Sequence, residues 1–430
     1  MRRTALTTGL MLALTAGAAG AQDYRARVAR VLRTQPVIDG HNDWAETLRE
    51  REGDARWTLD LRQGLGGRPK PYNTDIARLH AGGVGGQFWS VWVDASLPGL
   101  EQVKQTLEQI DLVKSFVARY PRDFALARTA ADVRRIQASG RVASLIGVEG
   151  GGQIDGSLSV LRAYHDLGAG YLTLTHVLTL PWADSATDNP RHDGLTPFGE
   201  EVVHELNRLG MLVDLSHVSE ATMVDALRVS KAPVIFSHSG ARAVDDHPRN
   251  VSDTVLKLVA ANGGVVMVNF APIYVSDAYR RWSADRAAEV TRLNAPPYGG
   301  LLIGQPDKAA AAIAQWERMH PAPAVTLAQV ADHVEHVAKV AGHDHVGIGS
   351  DFDGVGALLP QGLEGVDRYP ALLAELMRRG WSDADLTKLT GGNILRAMEG
   401  AEKVAADMAG EPFSTVPLAV ADRTPAAATK

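Results

Sequence analysis

The chain of 430 residues contains no cysteine. Disulfide bonds, which many exported proteins use for stability, are therefore excluded. The fold must instead be held by its apolar core and by any metal that it binds. Thiolate ligands are also excluded, so a metal site must use histidine and carboxylate side chains, which suit zinc and its borderline neighbours.

An excess of basic residues is also missing. The 44 Lys and Arg residues are outnumbered by 50 Asp and Glu residues, which gives a formal net charge of -6. This balance leaves no basic footprint for nucleic acid, so we expect no nucleic-acid partner. No G-x-G-x-x-G follows the first strand candidate and there is no phosphate-binding loop motif. The glycines of 82–86 precede a strand candidate, and we interpret them as a flexible turn.

Long hydrophobic runs are absent beyond the first 21 residues, Met1–Ala21. Arg2 and Arg3 are followed by the apolar run Leu10–Ala19 and by an A-x-A cleavage signal that ends at Ala21. This pattern is typical of a secretory signal peptide, and the apolar run is short for a bilayer core of about 30 Å. We therefore expect a secreted protein, periplasmic if the source is Gram-negative, without a membrane anchor in the mature chain.

Short apolar segments alternate with amphipathic segments along the mature chain. Helical spacing of apolar residues recurs in Leu100–Tyr120, Ser157–Leu167, Pro197–Leu209 and Ala221–Val229. Strands separated by helices pair in parallel, and eight such units favour an α/β protein with a (β/α)8 TIM-type barrel. The strand candidates are Val37–His41, Gly86–Val93, Val142–Glu149, Tyr171–His176, Met211–His217, Pro233–His238, Gly264–Phe270 and His345–Asp351.

We expect one catalytic barrel domain over residues 22–412. Ser276–Ala324 contains Pro296-Pro297, Gly299-Gly300 and a helical stretch, Lys308–Met319, and is interpreted as an insertion after strand seven that covers the active-site mouth. Residues 413–430 are rich in Pro, Ala and Thr, which predicts a flexible tail.

Polar residues end six of the strand candidates. The carboxyl ends of barrel strands form the face that carries active sites, so these side chains are expected to point into one space. They are His41 and Asp43 (strand one), Glu149 (strand three), His176 (strand four), His217 (strand five), His238 (strand six) and Asp351 (strand eight).

The residue types indicate a metal centre. His41 and Asp43 are two apart, so they face the same side of a strand. Together with Glu149, His217 and His238 they exceed the four ligands of one tetrahedral zinc and fit two ions that share a carboxylate. Glu149 is the best candidate for that bridge. Asp351 is expected to take a proton from the attacking water and to deliver it to the leaving amine.

Each of these residues also has a structural interpretation. A single strand-end histidine is more often a satisfied hydrogen-bonding residue than a ligand, and a carboxylate there is often a helix N-cap. Asp39, Asp214 and Asp353 are assigned to such structural roles. Arg249 follows strand six, where it suits a substrate carboxylate or, equally, a surface salt bridge. The remaining histidines are interpreted as structural: His80, His165, His192, His204, His247, His320, His333, His336, His343 and His345.

The motifs resemble the membrane (renal-type) dipeptidase family of zinc metallopeptidases, which have amidohydrolase-like barrels. The matching stretches span nearly the whole mature chain. They are 39–43 (DGHND), 148–151 (VEGG), 171–176 (YLTLTH), 181–184 (PWAD), 214–219 (DLSHVS), 236–239 (FSHS), 249–251 (RNV), 351–355 (DFDGV), 362–364 (GLE) and 391–396 (GGNILR).

The resemblance implies two Zn²⁺ per chain and a small dipeptide substrate. One zinc would be bound by His41 and Asp43, the other by His217 and His238, and Glu149 would bridge them. His176 would contact the substrate and stabilise the oxyanion, Arg249 would hold the C-terminal carboxylate, and Asp351 would be the proton shuttle and contact the free amine. The resemblance also implies tolerance of D-residues at the C-terminal position and, in some members, opening of β-lactam rings.

Departures from the family pattern leave alternatives open. Mammalian members have disulfides and a lipid anchor, neither of which this sequence supports, so covalent dimerisation does not carry over, although a homodimer stays open. Some members have a histidine shortly after Glu-Gly-Gly, where this chain has Gly152 and Gln153. A related barrel metallohydrolase acting on another small amide, lactam or lactone is the main alternative. A secreted solute- or metal-binding barrel is the non-enzymatic one, and it would not need an acidic Asp351.

Overall fold

The computed structural model describes residues 24–62, 64–295, 299–355 and 358–418. The predicted signal peptide and residues 419–430 of the predicted tail lie outside the described residues. Within those ranges, no helix combines the length and the apolar character needed to cross a bilayer.

Eight parallel strands form a closed barrel, which confirms the predicted (β/α)8 fold. β1 pairs with β2 on one side and with β9 on the other, and the additional pairing of β2 with β4 closes the ring. The short β3 (Phe124–Leu126) pairs with the start of β4 and lies outside this count. The barrel strands are β1 (Val37–Asn42), β2 (Val84–Trp92), β4 (Val142–Glu149), β5 (Ala169–Thr173), β6 (Leu212–Asp214), β7 (Ile235–Phe236), β8 (Val265–Val268) and β9 (Val346–Ile348).

Helices surround the barrel and connect its strands. α1 covers residues 24–34. The others are α2 (Trp44–Glu52), α3 (Ile76–Ala81), α4 (Gly99–Arg119), α5 (Ala130–Ala138), α6 (Leu158–Leu167), α7 (Pro197–Leu209), α8 (Glu220–Val229), α9 (Asp253–Asn262), α10 (Pro272–Val275), α11 (Asp277–Asn294), α12 (Pro306–Met319), α13 (Leu327–Ala341), α14 (Tyr369–Arg378), α15 (Asp383–Thr387) and α16 (Asn393–Asp407).

Alternate residues of the strands pack on opposite sides of the barrel wall. Val37 and Trp89 belong to the large apolar cluster beneath the helices, where Trp44 and Phe116 pack 5.4 and 5.3 Å from the Trp89 ring. Their neighbours along the chain, such as Ile38, belong to a second cluster. This alternation follows from the period of two in a strand, and it directs every second side chain into the barrel.

Several strands end earlier than the sequence predicts. β6 stops at Asp214 and β9 at Ile348, so His217 and Asp351 lie in the loops that follow. Both residues have left-handed backbones, with φ of 70° for His217 and 64° for Asp351, which a regular strand cannot contain. Such conformations are uncommon for residues other than glycine and concentrate at functional sites.

The interpretation of residues 82–86 as a flexible turn is wrong for its second half. β2 begins at Val84, so Gly85 and Gly86 lie within the strand. A Cβ at Gly85 would stand 2.4 Å from Cβ of Pro36, and one at Gly86 would stand 3.0 Å from Cγ1 of Ile38. Glycine is needed here because the side chains of Pro36 and Ile38 approach the strand closely.

The segment 276–324 lies between the seventh and eighth barrel strands and contains α11 and α12. The two helices contact each other through Trp282 and Trp316, whose ring centroids are 6.1 Å apart, and through the ion pair of Arg286 with Glu317 at 2.7 Å. At the other end of the chain, Leu418 is buried against Gly156, so residues up to 418 follow the barrel surface.

Candidate metal centre and active site

The carboxylate of Glu149 lies between two groups of histidines at the carboxyl end of the barrel. Its Oε2 is 3.2 Å from Nε2 of His41, while its Oε1 is 3.0 Å from Nε2 of His217 and 3.3 Å from Nε2 of His238. Asp43 joins the first group, with Oδ1 3.3 Å from Nε2 of His41. The structure thus brings the five sequence-predicted ligand residues together.

Two groups of potential ligand atoms share Glu149. One group contains His41, Asp43 and Glu149, the other contains Glu149, His217 and His238, and within each group the atoms lie within 4.8 Å of one another. A third group with the same spacing contains His41, His238 and Asp351. Oxygen and imidazole nitrogen donors at this spacing suit zinc and its neighbours.

Unpartnered polar atoms show that the site fits a cation. Nε2 of His41 and Oδ1 of Asp43 are buried and, although they lie 3.3 Å apart, form no hydrogen bond with each other or with any other described residue. Buried polar atoms are otherwise almost always satisfied, so these atoms need a ligand. A divalent cation satisfies a nitrogen lone pair and a carboxylate oxygen at once.

The electrostatics of the centre also favour bound positive charge. Burial raises the pKa of Glu149, but opposing contributions, of which the charge of His41 is the largest, hold the pKa well below its ordinary value. Burial lowers the pKa of His41, but Glu149, Tyr171 and Asp43 outweigh it and raise the pKa well above its ordinary value. The two carboxylates around Nε2 of His41 thus favour a positive charge at this position.

His217 and His238 are held in the neutral form that a metal ligand requires. Burial is the main cause that lowers the pKa of each well below its ordinary value. For His217 the positive charge of Arg249 acts in the same direction, and for His238 so does that of His41. A neutral imidazole keeps the nitrogen lone pair with which it coordinates a metal.

Groups behind the centre fix the orientation of its ligands. Tyr171 Oη is 2.9 Å from Nδ1 of His41, and Ser237 Oγ is 2.8 Å from Nδ1 of His238. The Ser237 hydroxyl in turn donates to Asp214 at 2.6 Å. When each Nδ1–H donates to its neighbouring hydroxyl, Nε2 keeps its lone pair and faces the cavity, as is usual for metal-binding histidines.

The helix N-cap interpretation of the other strand-end carboxylates is wrong. Asp214 accepts from Ser237, and Asp39 accepts from Ser350 and Tyr369, so both connect neighbouring strands. Asp353 accepts from the backbone N–H of Asn73 at 2.8 Å. These carboxylates are structural, as predicted, but they hold loops and strands together rather than cap helices.

Asp351 lies at the edge of the centre and is 9% exposed. Its Oδ2 accepts a hydrogen bond from Nδ2 of Asn269 at 3.0 Å. Burial and then the negative charge of Asp43 raise the pKa of Asp351 well above its ordinary value, against the opposing charge of His41. A carboxyl group with a raised pKa can hold and release a proton near neutral pH, which an acid/base catalyst requires.

His176 lies beside the centre but in none of the three groups of potential ligands. Its ring centroid is 4.5 Å from that of His217 and 5.5 Å from that of Trp92, and its Nε2 is 3.9 Å from Oε1 of Glu149. Burial lowers the pKa of His176 below its ordinary value. A neutral His176 at the pocket can donate a hydrogen bond to a bound molecule.

Arg249 is a buried cation without a carboxylate partner. It is 1% exposed, and its guanidinium donates to Ser239 Oγ at 3.2 Å and to the His238 carbonyl at 3.3 Å. It also stacks 5.1 Å from the Tyr274 ring centroid. Among the described residues, no carboxylate oxygen lies within 4.0 Å of it, and its Nε makes no hydrogen bond. Burial at this depth excludes the surface salt bridge considered above.

One cavity of about 400 Å³ joins these groups. Its lining includes Asp43, Glu149, His176, His217, His238, Arg249 and Asp351. It also includes residues that sequence reasoning missed, namely Trp92, Tyr274, Tyr279 and Ser283. Trp92 ends β2 and could have been found by its position, whereas the other three follow β8 in helical segments and carry no recognisable signal.

A (β/α)8 barrel with clustered histidines and carboxylates at the carboxyl ends of its strands is typical of metal-dependent hydrolases. The membrane dipeptidase family model (peptidase family M19) matches residues 25–412. The chain therefore belongs to this family of metallo-dipeptidases, hydrolases that act on peptide bonds.

Similar proteins agree with this assignment. Dipeptidase 3 of Macaca fascicularis is 40% identical over 387 residues, which cover 89% of this chain and 68% of that protein. Dipeptidase verJ of Clonostachys rogersoniana is 39% identical over 400 residues, which cover 90% of this chain and 89% of that protein. A Rhodobacter sphaeroides metallopeptidase, solved with a phosphinate mimic of the dipeptide L-Ala-D-Ala, superposes with a TM-score of 0.67 at 26% identity, covering 85% of this chain and 99% of that one.

Proposed function

We propose that the protein is a dinuclear zinc dipeptidase that cleaves dipeptides carrying a free amino group and a free carboxylate. The observation that carries this proposal is the buried, unpaired guanidinium of Arg249 in the wall of the cavity that holds the ligand cluster. An unpaired buried cation is costly, so its retention at this place implies an anionic substrate group. A C-terminal carboxylate fits a guanidinium in a bidentate arrangement.

One zinc would be held by His41 and Asp43, and the other by His217 and His238. Glu149 would be a ligand of both. When bound, the pair of ions supplies a Lewis acid for the scissile carbonyl and lowers the pKa of a water molecule. The sharing of Glu149 between two three-residue groups supports two ions rather than one.

Three protein side chains would bind the substrate, transfer the proton and stabilise the oxyanion. Arg249 holds the C-terminal carboxylate and so fixes the peptide bond relative to the centre. Asp351 accepts the proton of the attacking water and passes it to the leaving amine, and it also contacts the substrate's free amino group. His176 donates a hydrogen bond to the carbonyl oxygen as negative charge develops on it.

The cavity also supports a restriction to short substrates. Arg249 forms part of the cavity wall. The volume of about 400 Å³ accommodates two amino-acid residues of modest size. The Rhodobacter relative holds a mimic of a dipeptide with a C-terminal D-residue, which supports tolerance of D-residues at that position in this chain. A small dipeptide is therefore the expected substrate. The N-terminal pattern of the sequence supports export of the enzyme.

The proposal is tested by measuring zinc content together with hydrolysis of L-L, L-D and N-acetylated dipeptides, with and without chelator. The expected result is chelator-sensitive cleavage of L-L and L-D dipeptides, with N-acetylated dipeptides resistant. Bound zinc with no turnover of any dipeptide would reject the proposal and direct the search to other small amides, lactams and lactones.

A further inference from the structure

Helix α11 forms part of the cavity wall through two side chains, Tyr279 and Ser283. They are four residues apart, so they lie on the same face of the helix. α11 belongs to the segment between the seventh and eighth barrel strands, and neither residue contributes to the ligand groups around Glu149. Both side chains can therefore contact a molecule bound in the cavity.

The start of α11 is fastened to the loop that carries Arg249. Arg280 forms an ion pair with the buried Asp245 at 3.2 Å, and Asn250 donates to the Tyr274 carbonyl at 2.9 Å. Arg249 itself stacks on Tyr274, just before α11. The α11 wall is therefore fixed relative to the guanidinium.

Aromatic packing against α11 and α12 residues fixes the position of the Tyr279 ring. Its ring lies 5.4 Å from Trp282, which lies 6.1 Å from Trp316 on α12. The indole N–H of Trp282 donates to the His320 carbonyl at 2.7 Å. Because these contacts oppose displacement of the Tyr279 ring, the ring acts as a firm boundary of the cavity.

We propose that Tyr279 and Ser283 set the size of the C-terminal side chain that the enzyme accepts. This inference rests on the proposed function, in which Arg249 holds the C-terminal carboxylate. The side chain of that residue branches from the carbon next to the carboxylate, so it lies beside Arg249 and against the α11 wall. Trp92, whose ring lies 5.5 Å from that of His176, and Val177 also line the cavity, and we assign the N-terminal residue to them.

The test compares kcat/KM over two series of dipeptides, Ala-Gly, Ala-Leu and Ala-Phe against Gly-Ala, Leu-Ala and Phe-Ala. Tyr279→Ala is expected to raise the Ala-Phe to Ala-Gly ratio about tenfold or more, because pocket contacts of this size discriminate by such factors. Ser283→Phe is expected to lower that ratio by a similar factor. Neither variant should change the ratios within the second series.

Two controls locate the effect. Arg281→Ala removes a side chain that is 75% exposed on α11 and should change neither series. Val177→Ala enlarges the part of the cavity assigned to the N-terminal residue and should change only the second series. Zinc content equal to that of the wild type shows that each variant keeps its metal centre.

Equal shifts in both series, or shifts confined to the N-terminal series, would overturn the inference while leaving the dipeptidase function intact. A wild-type enzyme that cleaves no member of either series would instead overturn the proposed function, and the inference with it.

Discussion

Oε1 of Glu149 lies 3.0 Å from Nε2 of His217, and the second oxygen of the same carboxylate is turned towards another histidine. Ser90 donates to that second oxygen at 2.9 Å, which fixes the plane of the carboxylate. One side chain therefore serves both halves of the centre. Loss of one oxygen should affect the two halves together rather than one alone.

Replacement of Glu149 tests this arrangement. Glu149→Gln keeps the size of the side chain but removes its charge, so the variant is expected to bind one zinc or fewer per chain. kcat should fall by about three orders of magnitude, since metal ions contribute several kcal/mol to stabilisation of the transition state. Elemental analysis and steady-state kinetics measure both effects.

Glu205→Gln is the matched control for that variant. Glu205 is also fully buried, but it pairs with Arg162 and Arg208 away from the cavity. Its replacement should lower Tm and leave the zinc content unchanged. If the two variants retained the same zinc content, Glu149 would not be a bridging ligand.

Replacement of Arg249 tests recognition of the substrate carboxylate. Arg249→Met keeps much of the side-chain volume and is expected to lower kcat/KM for dipeptides about 30-fold or more, mainly through KM, because a desolvated charge pair is lost. Dipeptide amides, which lack the carboxylate, should be cleaved equally by both enzymes. Arg242→Ala removes a half-exposed arginine of the same loop and should leave the kinetics unchanged. Equal losses on dipeptides and their amides would argue against the assigned role.

Replacement of Asp351 separates proton transfer from metal binding. Its position allows either role, since it also forms a group with His41 and His238. Asp351→Asn cannot accept a proton, so kcat is expected to fall by about 10²–10⁴-fold while zinc content stays at the wild-type value. Loss of zinc in this variant would make Asp351 a ligand instead.

His333 gives a prediction about stability and pH. Its Nδ1 accepts from the Ala241 N–H at 2.9 Å and its Nε2 lies 3.2 Å from the Val275 carbonyl, so it joins the loop before Arg249 to α10. Burial lowers its pKa from 6.5 to about 4. The unfolded chain therefore binds a proton that the folded chain does not, and stability is lost as pH falls from 6.5 towards 4.

The measurement compares unfolding by urea at about pH 7.5 and pH 5. His333→Gln is expected to destabilise the protein by about 2–4 kcal/mol at the higher pH, through its buried hydrogen bonds. That difference should shrink by about 2 kcal/mol at the lower pH, because only the wild type loses the contribution of His333. His336→Gln, in the same helix but paired with Asp253 near the surface, should cost less than about 1 kcal/mol. An unchanged difference between the two pH values would contradict the neutral state assigned to His333.

The sequence was sufficient to predict the barrel and the residues that the structure gathers at its carboxyl ends. This succeeded because an apolar strand that ends in a histidine or carboxylate places that side chain at a known edge. Strand lengths were overestimated at His217 and Asp351, because apolar composition does not reveal a left-handed backbone.

The contacts behind and around the centre could not be predicted in the same way. Tyr171 reaches His41 across 130 positions of sequence, and nothing in its own strand marks it as different from a core residue. Tyr279 and Ser283 line the cavity where α11 is joined to the Arg249 loop, for example by the ion pair of Arg280 with Asp245. Such contacts depend on tertiary packing, which hydrophobic periodicity does not encode.

Titration of the metal-free enzyme with zinc, followed by hydrolysis of an L-L dipeptide at each point, tests the central claim most directly. The structure leads us to expect full activity at two equivalents of zinc per chain. Saturation at one equivalent would contradict a bridged pair of ions at Glu149, and zinc binding without dipeptide hydrolysis would contradict the proposed activity itself.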